Sequence, residues 1–333
     1  MSEQTPTTPA SGFRRMMSGS VGRNLGLVVA LLAIVVVGSV TSPNFLDLGN
    51  VLVILRQASI IGVISIGMTL VIIAGGIDLS VGSVMGLASV AATIAVVQDV
   101  VRDTHWIVIV VVALAVGVAA GLINGIVIAY GNVAAFMATL AMLVAARGLA
   151  EILAERRTLV VGDRDFLAMM NLDILGVDIL IWIFAIVAAL GWVLLNRTTF
   201  GRRTVAIGGN REAARLAGIN VKRHTMWLYA LVGLTAGIAG VMILGRTTAG
   251  SSTNGQLYEL DAIAAVVVGG TLLIGGRGTI TGTVFGVLIF ATLTNVFVQN
   301  NMVSSVQAVA KGVIIVVAVL LQQRFAKPAG RSS

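Results

Sequence analysis

The sequence predicts an all-α polytopic membrane protein with about ten transmembrane helices, some of them broken by glycine. Three observations predict it. Of 333 residues, 57% are hydrophobic and only 11% are charged, where soluble domains carry about 25% charged residues. Many apolar runs approach or exceed the ~20 residues that a helix needs to cross a bilayer. These runs are continuous, whereas the strands of a membrane β-barrel would alternate polar and apolar residues at period two.

In chain order, residues 1–24 are polar and rich in Ser, Thr and Pro, with Arg14, Arg15 and Arg23 just before the first span. They read as a disordered basic cytoplasmic tail. No small-residue cleavage site follows a short apolar core, so the first span reads as uncleaved. Ten apolar segments follow, at 25–41, 51–73, 79–97, 106–130, 132–153, 176–195, 225–246, 260–275, 280–299 and 303–322. The third, eighth and ninth are compatible with re-entrant segments as well as full spans. Residues 323–333 form a second basic tail, with Arg324, Lys327 and Arg331.

Loop charges fix the orientation. The loop 196–224 carries Arg197, Arg202, Arg203, Arg211, Arg215, Lys222 and Arg223 against one acid, Glu212. Such an excess marks a cytoplasmic loop. Six spans precede it and four follow. Both numbers are even, so the two termini and this loop share the cytoplasmic side. Segments 98–105, 154–175 and 247–259 then share the other side, and none has a basic excess.

Composition also excludes functions. There is no cysteine, so disulfides, thiol chemistry and Cys-ligated metal are out. His105 and His224 are far apart in sequence and offer no metal cluster; no metal and no cofactor are expected. The net charge of +8 comes from residues beside membrane spans, so it speaks for insertion rather than nucleic-acid binding. No G-x-x-x-x-G-K-[ST] loop is present, so the chain has no phosphate cradle of its own.

The segment 74–83, AGGIDLSVGS, interrupts an apolar stretch. Glycine costs roughly 1 kcal/mol in a helix interior, so Gly75–Gly76 marks a break. Backbone groups freed at membrane depth need protein or a water-lined cavity. Asp78 must face an interior, cap the next segment or lie at the surface, and Asp78 or Ser80 can accept from the next helix's open N–H groups. The plain reading is a turn between two spans; the functional reading is a broken helix lining a path, and the two are compatible. A similar break recurs 200 residues on: VIIAGGIDLSVGSVMGL (71–87) against TLLIGGRGTITGTVFGV (271–287). Gly75/Gly275, Gly76/Gly276, Gly82/Gly282 and Gly86/Gly286 coincide, either as an internal repeat or by chance among 39 glycines. Gly82–Ser83…Gly86 and Gly117…Gly121…Gly125 have the spacing that lets helices approach closely.

Within the basic loop, Asn210 is suited to cap a helix N-terminus and Glu212 to sit in its first turn. Gly218 is placed to end that helix in a left-handed conformation. The helix 211–217 presents Ala213, Ala214, Leu216 and Ala217 as a small smooth face for a soluble partner. Elsewhere, Arg147 and Glu151 can pair four apart on one helix. Lys311 either snorkels or pairs in the bundle. Glu259 and Asp261 read as caps of the eighth segment, and Asn124 and Asn295 as polar residues within spans.

The phrases SPNFLDLGNVLVILRQASIIGVISIGMTLVIIAGGIDLSVGS (42–83), AFMATLAMLVAARGLA (135–150), GRRTVAIGGNREAARLAGINV (201–221) and YELDAIAAVVVGGTLLIGGRGTITGT (258–283) carry a specific resemblance. Over about 25–322 the chain resembles the permease subunits of bacterial ABC importers for monosaccharides, of the ribose/xylose/galactose type. The segment 154–175 and the turn LLIGGRG depart from that family's usual phrases. The resemblance implies a transmembrane permease domain at 25–322 in the bacterial cytoplasmic (inner) membrane, with a fold like that of the vitamin-B12-type importers. It implies a second copy of the chain, a two-domain ABC ATPase on a separate chain, and a periplasmic or lipid-anchored sugar-binding protein. It makes 196–224 the coupling loop and Asn210, Arg211, Glu212, Ala213, Ala214, Arg215, Leu216, Ala217, Gly218 and Ile219 the ATPase-coupling helix. Candidates for the translocation path are Gly75, Gly76, Asp78, Ser80, Asn124, Gly275, Gly276 and Asn295. The competing expectations are a stand-alone ion-coupled transporter, with Asp78 as its coupling carboxylate, and an intramembrane enzyme. The latter lacks a Ser–His pairing in the bundle.

Overall fold

The computed structural model describes residues 20–326, so most of the expected N-terminal tail and the end of the C-terminal one lie outside the described residues. The chain begins with α1 (Ser20–Thr41) and α2 (Leu48–Ile73). Then come α3 (Val81–Ala91), α4 (Ala95–Asp103), α5 (Ile107–Ala129) and α6 (Ala135–Leu153). An irregular stretch holds β1 (Leu159–Val160), α7 (Arg164–Met170) and the hairpin β2 (Asp173–Ile174)/β3 (Val177–Asp178). Next are α8 (Ile179–Arg197), α9 (Thr199–Gly209), α10 (Arg211–Leu216), α11 (Val221–Thr247) and β4 (Ala249–Gly250). The chain closes with α12 (Tyr258–Val268), α13 (Ile280–Gln299) and α14 (Ser304–Ala326).

This is an all-α membrane protein. Among the described residues, six helices are long and apolar enough to cross a bilayer: α2, α5, α6, α8, α11 and α13. The pair α3–α4 makes a seventh if it counts as one span, but it bends by 55°. The third expected segment is therefore not a straight helix. The 11 residues of α3 rise about 16 Å, half of the ~30 Å hydrocarbon core. The eighth expected segment likewise stops early, because α12 ends at Val268 after 11 residues. By contrast α13, the ninth, is a continuous helix of 20 residues.

The core sits around α2 and α11, the most buried of the long apolar helices, while α6 and α8 are the least buried. Glycines set the closest contact. A Cβ on Gly117 or Gly121 would collide with the backbone of Gly233 or Tyr229, and one on Gly125 would lie 2.7 Å from the Met226 carbonyl oxygen. The expected small-residue face of α5 therefore packs against α11. Gly82 and Gly86 similarly accept the loop 251–257, whose Asn254 carbonyl would lie 2.7 Å from a Cβ at Gly86.

The segments expected to share the side opposite the basic loop do meet. Leu159 and Val160 pair antiparallel with Gly250 and Ala249, and the Gly162 N–H donates to Gln98 Oε1 at 2.9 Å. Several side-chain expectations change here. Arg147 does not pair with Glu151, which has Arg156 at 3.7 Å. It donates instead to the carbonyls of Ser252 and Asn254, holding the loop down. Neither Glu259 nor Asp261 caps α12, whose start at Leu257 has no side-chain cap bond. Glu259 is buried against Gly82, and Asp261 takes Lys311 at 3.1 Å, so Lys311 pairs in the bundle rather than snorkelling.

Candidate functional site: a glycine junction beneath a capped helix

The basic loop is mostly helical. Thr198 caps α9 by accepting from the Gly201 N–H at 3.2 Å. The sequence reading did not foresee this helix, which buries Thr204 and Ile207. Its anchor is His224 at the start of α11, which lies 2.9 Å from the Thr204 hydroxyl through Nε2 and stacks on Phe200 at 4.3 Å between centroids.

Asn210 then caps α10, accepting from the Ala213 N–H at 2.9 Å. Glu212 and Arg215 pair at 2.6 Å on its exposed face. This hydrogen bond holds the Glu212 carboxyl below the usual carboxylate range. The pair's contribution is present at neutral pH and fades as pH falls through that lowered value. At the far end Gly218 has φ +82°. The Gly218 N–H donates to Arg215 O at 3.0 Å, and the Ile219 N–H to Ala214 O at 3.1 Å. That is the two-bond left-handed termination expected of Gly218, one residue earlier than the expected end. One member of the expected smooth face is corrected: Ala214 is buried with Ile207 and Val221. Ala213, Ala217 and Leu216 (75% exposed for Leu216) remain outside.

The same termination closes α2. Gly75, at φ +80°, donates to Ile72 O at 2.9 Å, and Gly76 donates to Val71 O at 3.0 Å. The chain then turns through a buried polar clasp. Asp78 Oδ1 accepts from the Ser80 N–H at 2.8 Å and from its hydroxyl at 2.6 Å. Asn124 of α5 donates to Ser80 Oγ at 3.0 Å, and the Tyr229 hydroxyl of α11 donates to Ile77 O at 3.1 Å. Neither Asp78 nor Ser80 caps α3 with its side chain, as had been expected of one of them; Asp78 braces the turn instead.

The second break is longer, at 269–279. Its terminating glycine is Gly270, φ +88°, with Gly270 donating to Val267 O at 2.9 Å and Thr271 to Val266 O at 3.2 Å. Gly275 and Gly276 lie beyond, in a separate turn closed by Leu272 N–H to Arg277 O at 3.0 Å. The sequence alignment therefore matched Gly75 to a glycine that does a different job. It nevertheless agrees at the restart, since Gly82 and Gly282 both lie in the first turn of a helix.

The two breaks touch. The Gly276 N–H donates to Ile73 O at 2.8 Å, and a Cβ on Gly275 would lie 3.0 Å from Gly75 Cα. Nearby, the buried hydroxyls of Thr69 and Thr283 lie 2.7 Å apart. Gly208 of α9 completes the junction, packed on the Ile73 carbonyl. Beside it opens a cavity of about 390 Å³, lined by Gly75, Gly76, Asn132, Thr225, Tyr229 and Arg211 among others. Of the candidate path residues, Gly75, Gly76, Asp78, Ser80, Asn124, Gly275 and Gly276 thus gather around one junction. Asn295 does not: it exchanges hydrogen bonds of 2.8 and 3.1 Å with Asn50, at the start of α2. Sequence reasoning missed Tyr229, Gly208 and Gly270; the pairs Gly208–Gly209 and Gly269–Gly270 were the signal available for the last two.

Residues 50–321 match the family described as branched-chain amino acid transport system / permease component. The chain belongs to this permease family. The permease is 40% identical over 302 residues to the ribose import permease protein RbsC of Escherichia coli K12, covering 89% of this chain and 92% of that one. It is 39% identical over 313 residues to the ribose import permease protein RbsC of Bacillus subtilis 168, covering 93% and 96%. With the L-arabinose transport system permease protein AraH of Escherichia coli K12 it shares 36% over 322 residues, 94% of each chain. No solved structure matches it.

Proposed function

We propose that this permease is the membrane subunit of an ATP-binding-cassette importer for a monosaccharide. The single observation that carries the proposal is the identity of about two residues in five with permeases named for ribose import, over nearly the whole of both chains. ATP is hydrolysed on a separate two-domain ATPase, and an extracytoplasmic binding protein delivers the sugar. The chain sits in the inner membrane with both termini and the loop 196–224 facing the cytoplasm. Its ten membrane segments include half-length and broken ones, with a fold like the vitamin-B12-type importers, and two copies form the path.

In this reading α10, with its caps at Asn210 and Gly218, is the coupling helix that docks on the ATPase. Its exposed face of Ala213, Leu216 and Ala217 supports that role, because a short, rigid, partly apolar helix suits a groove on a soluble partner. The cavity beside Gly75 and Gly76 is read as the cytoplasmic exit, and Arg211 on its wall supports a docking helix close to that exit. The similarity to import permeases speaks against an ion-coupled mechanism, and Asp78 Oδ1 already accepts two hydrogen bonds from Ser80.

The test is gentle extraction of the tagged permease from its native membrane, followed by identification of what co-purifies. A two-domain ATPase chain in the eluate is expected. A eluate holding the permease alone, under detergent conditions that keep a control importer intact, contradicts the proposal.

A further inference from the structure

Gly208 and Gly209 stand side by side at the end of α9, yet their surroundings are opposite. A Cβ on Gly208 would overlap the Ile73 carbonyl oxygen and lie 2.6 Å from the Gly276 nitrogen. Those two atoms are the acceptor and donor of the hydrogen bond that joins the two breaks. A Cβ on Gly209 would meet nothing within 4 Å. In the other direction, Cβ atoms on Gly275 and Gly276 would lie 3.0 Å from Gly208 O and 3.1 Å from Gly209 Cα. Three backbones therefore meet at van der Waals distance with no side chain between them.

The next residue is Asn210, the cap of α10. Behind the junction, α9 is tied to α11 by Thr204–His224 and Phe200–His224. Only Gly209 therefore separates the junction from the cap of the docking helix.

We infer that Gly208 is a positioning residue for transport, the point at which movement of α10 is passed to both helix breaks at once. Its lack of a side chain lets the end of α9 seat on the Ile73–Gly276 hydrogen bond, so a shift of α10 displaces α2's end and the second break together. Backbone-to-backbone contact suits this task, because packed backbones cannot absorb a push by changing rotamer. The inference rests on the proposed function, since it needs a partner that drives α10.

The experiment compares Gly208→Ala and Gly209→Ala in the complete importer, with ATPase and binding protein, in proteoliposomes. Three quantities are read: co-purification of the ATPase, ATP hydrolysis, and sugar taken up per ATP hydrolysed. Gly209→Ala is expected to match wild type in all three. Gly208→Ala is expected to assemble and hydrolyse ATP, while uptake per ATP falls about tenfold, within the 5–150-fold range typical of coupling between sites. Equal uptake per ATP in the two variants overturns the inference. So does a proportional fall of hydrolysis and uptake in Gly208→Ala, which is the mark of a merely structural role.

If Gly208→Ala fails to assemble, a labelled variant decides. The chain has no cysteine, and Ile274 on the second break is 79% exposed. A fluorophore on Ile274→Cys is expected to change signal when ATP binds the partner, and an unchanged signal overturns the inference. Absence of any ATPase from the wild-type preparation is a different failure: it overturns the functional reading, and this inference with it.

Discussion

The two helix breaks solve the same steric problem and then part company. Each ends its helix with a glycine in the left-handed region, Gly75 or Gly270, and the same pair of terminal hydrogen bonds. Each restarts into a helix that carries an early glycine, Gly82 or Gly282. Between those points the first break spends residues 74–80 on a buried clasp: Asp78 holds Ser80, with Asn124 and Tyr229 closing from two other helices. The second spends residues 269–279 on a glycine turn with Leu273, Ile274 and Arg277 exposed. One break is tied by side chains to two neighbouring helices; the other meets α2 and α9 through backbone. Similar glycine spacing therefore encodes a side-chain clasp in one place and a backbone-to-backbone contact in the other.

That contrast can be broken or sharpened by substitution. The largest effect is expected at the clasp. Asp78→Ala removes the acceptor of two buried Ser80 donors, and a buried unsatisfied donor costs about 1–3 kcal/mol. Thermal unfolding of the purified permease should shift down clearly; an unchanged Tm would mean that the clasp does not hold the break. Next comes Gly218→Val, which forces a β-branched residue to φ +82°, a conformation costing an L-residue roughly 1–2 kcal/mol. The cost falls on the end of α10, so insertion and yield should hold while ATPase co-purification drops. Undiminished co-purification would count against α10 as the docking element.

At the contact between the breaks, Gly275→Ala meets both a φ of +88° and Gly75 backbone at 3.0 Å. Its stability cost of about 1–2 kcal/mol should be smaller than that of Asp78→Ala, with uptake affected more than stability. The reverse order would erase the distinction between the clasp and the backbone contact. The smallest effect belongs to Ile274→Ala, which is mostly exposed and should stay within about 0.5 kcal/mol of wild type.

Much of this was legible in the sequence where local chemistry decides conformation. Asn210 and Gly218 bracket α10 because caps act within four residues. The loop charges grouped 98–105, 154–175 and 247–259, and contacts among these segments agree with that grouping. What stayed hidden depends on distant partners. Gly75 and Gly275 align in the sequence, but only packing shows that Gly270 is the true terminator. Arg147 has Glu151 at helical spacing, yet two carbonyls of a loop more than 100 residues away take it. Asn295 and Asp78 look alike as polar residues in apolar runs. One is half of an amide clasp with Asn50, the other the brace of a break, and nothing local to either separates them. The end of α3 is hidden in the sequence because an apolar run continues through its bend into α4, which leaves a full span and a re-entrant segment both open.

The most direct measurement is uptake into proteoliposomes that hold the permease, its ATPase and the binding protein, with ribose, arabinose and leucine offered in turn. Uptake of a sugar that requires ATP on the ATPase side and is unaffected by collapsing ion gradients is the predicted result. Uptake that persists without ATP and stops when the gradients are collapsed, or uptake of leucine alone, would contradict it.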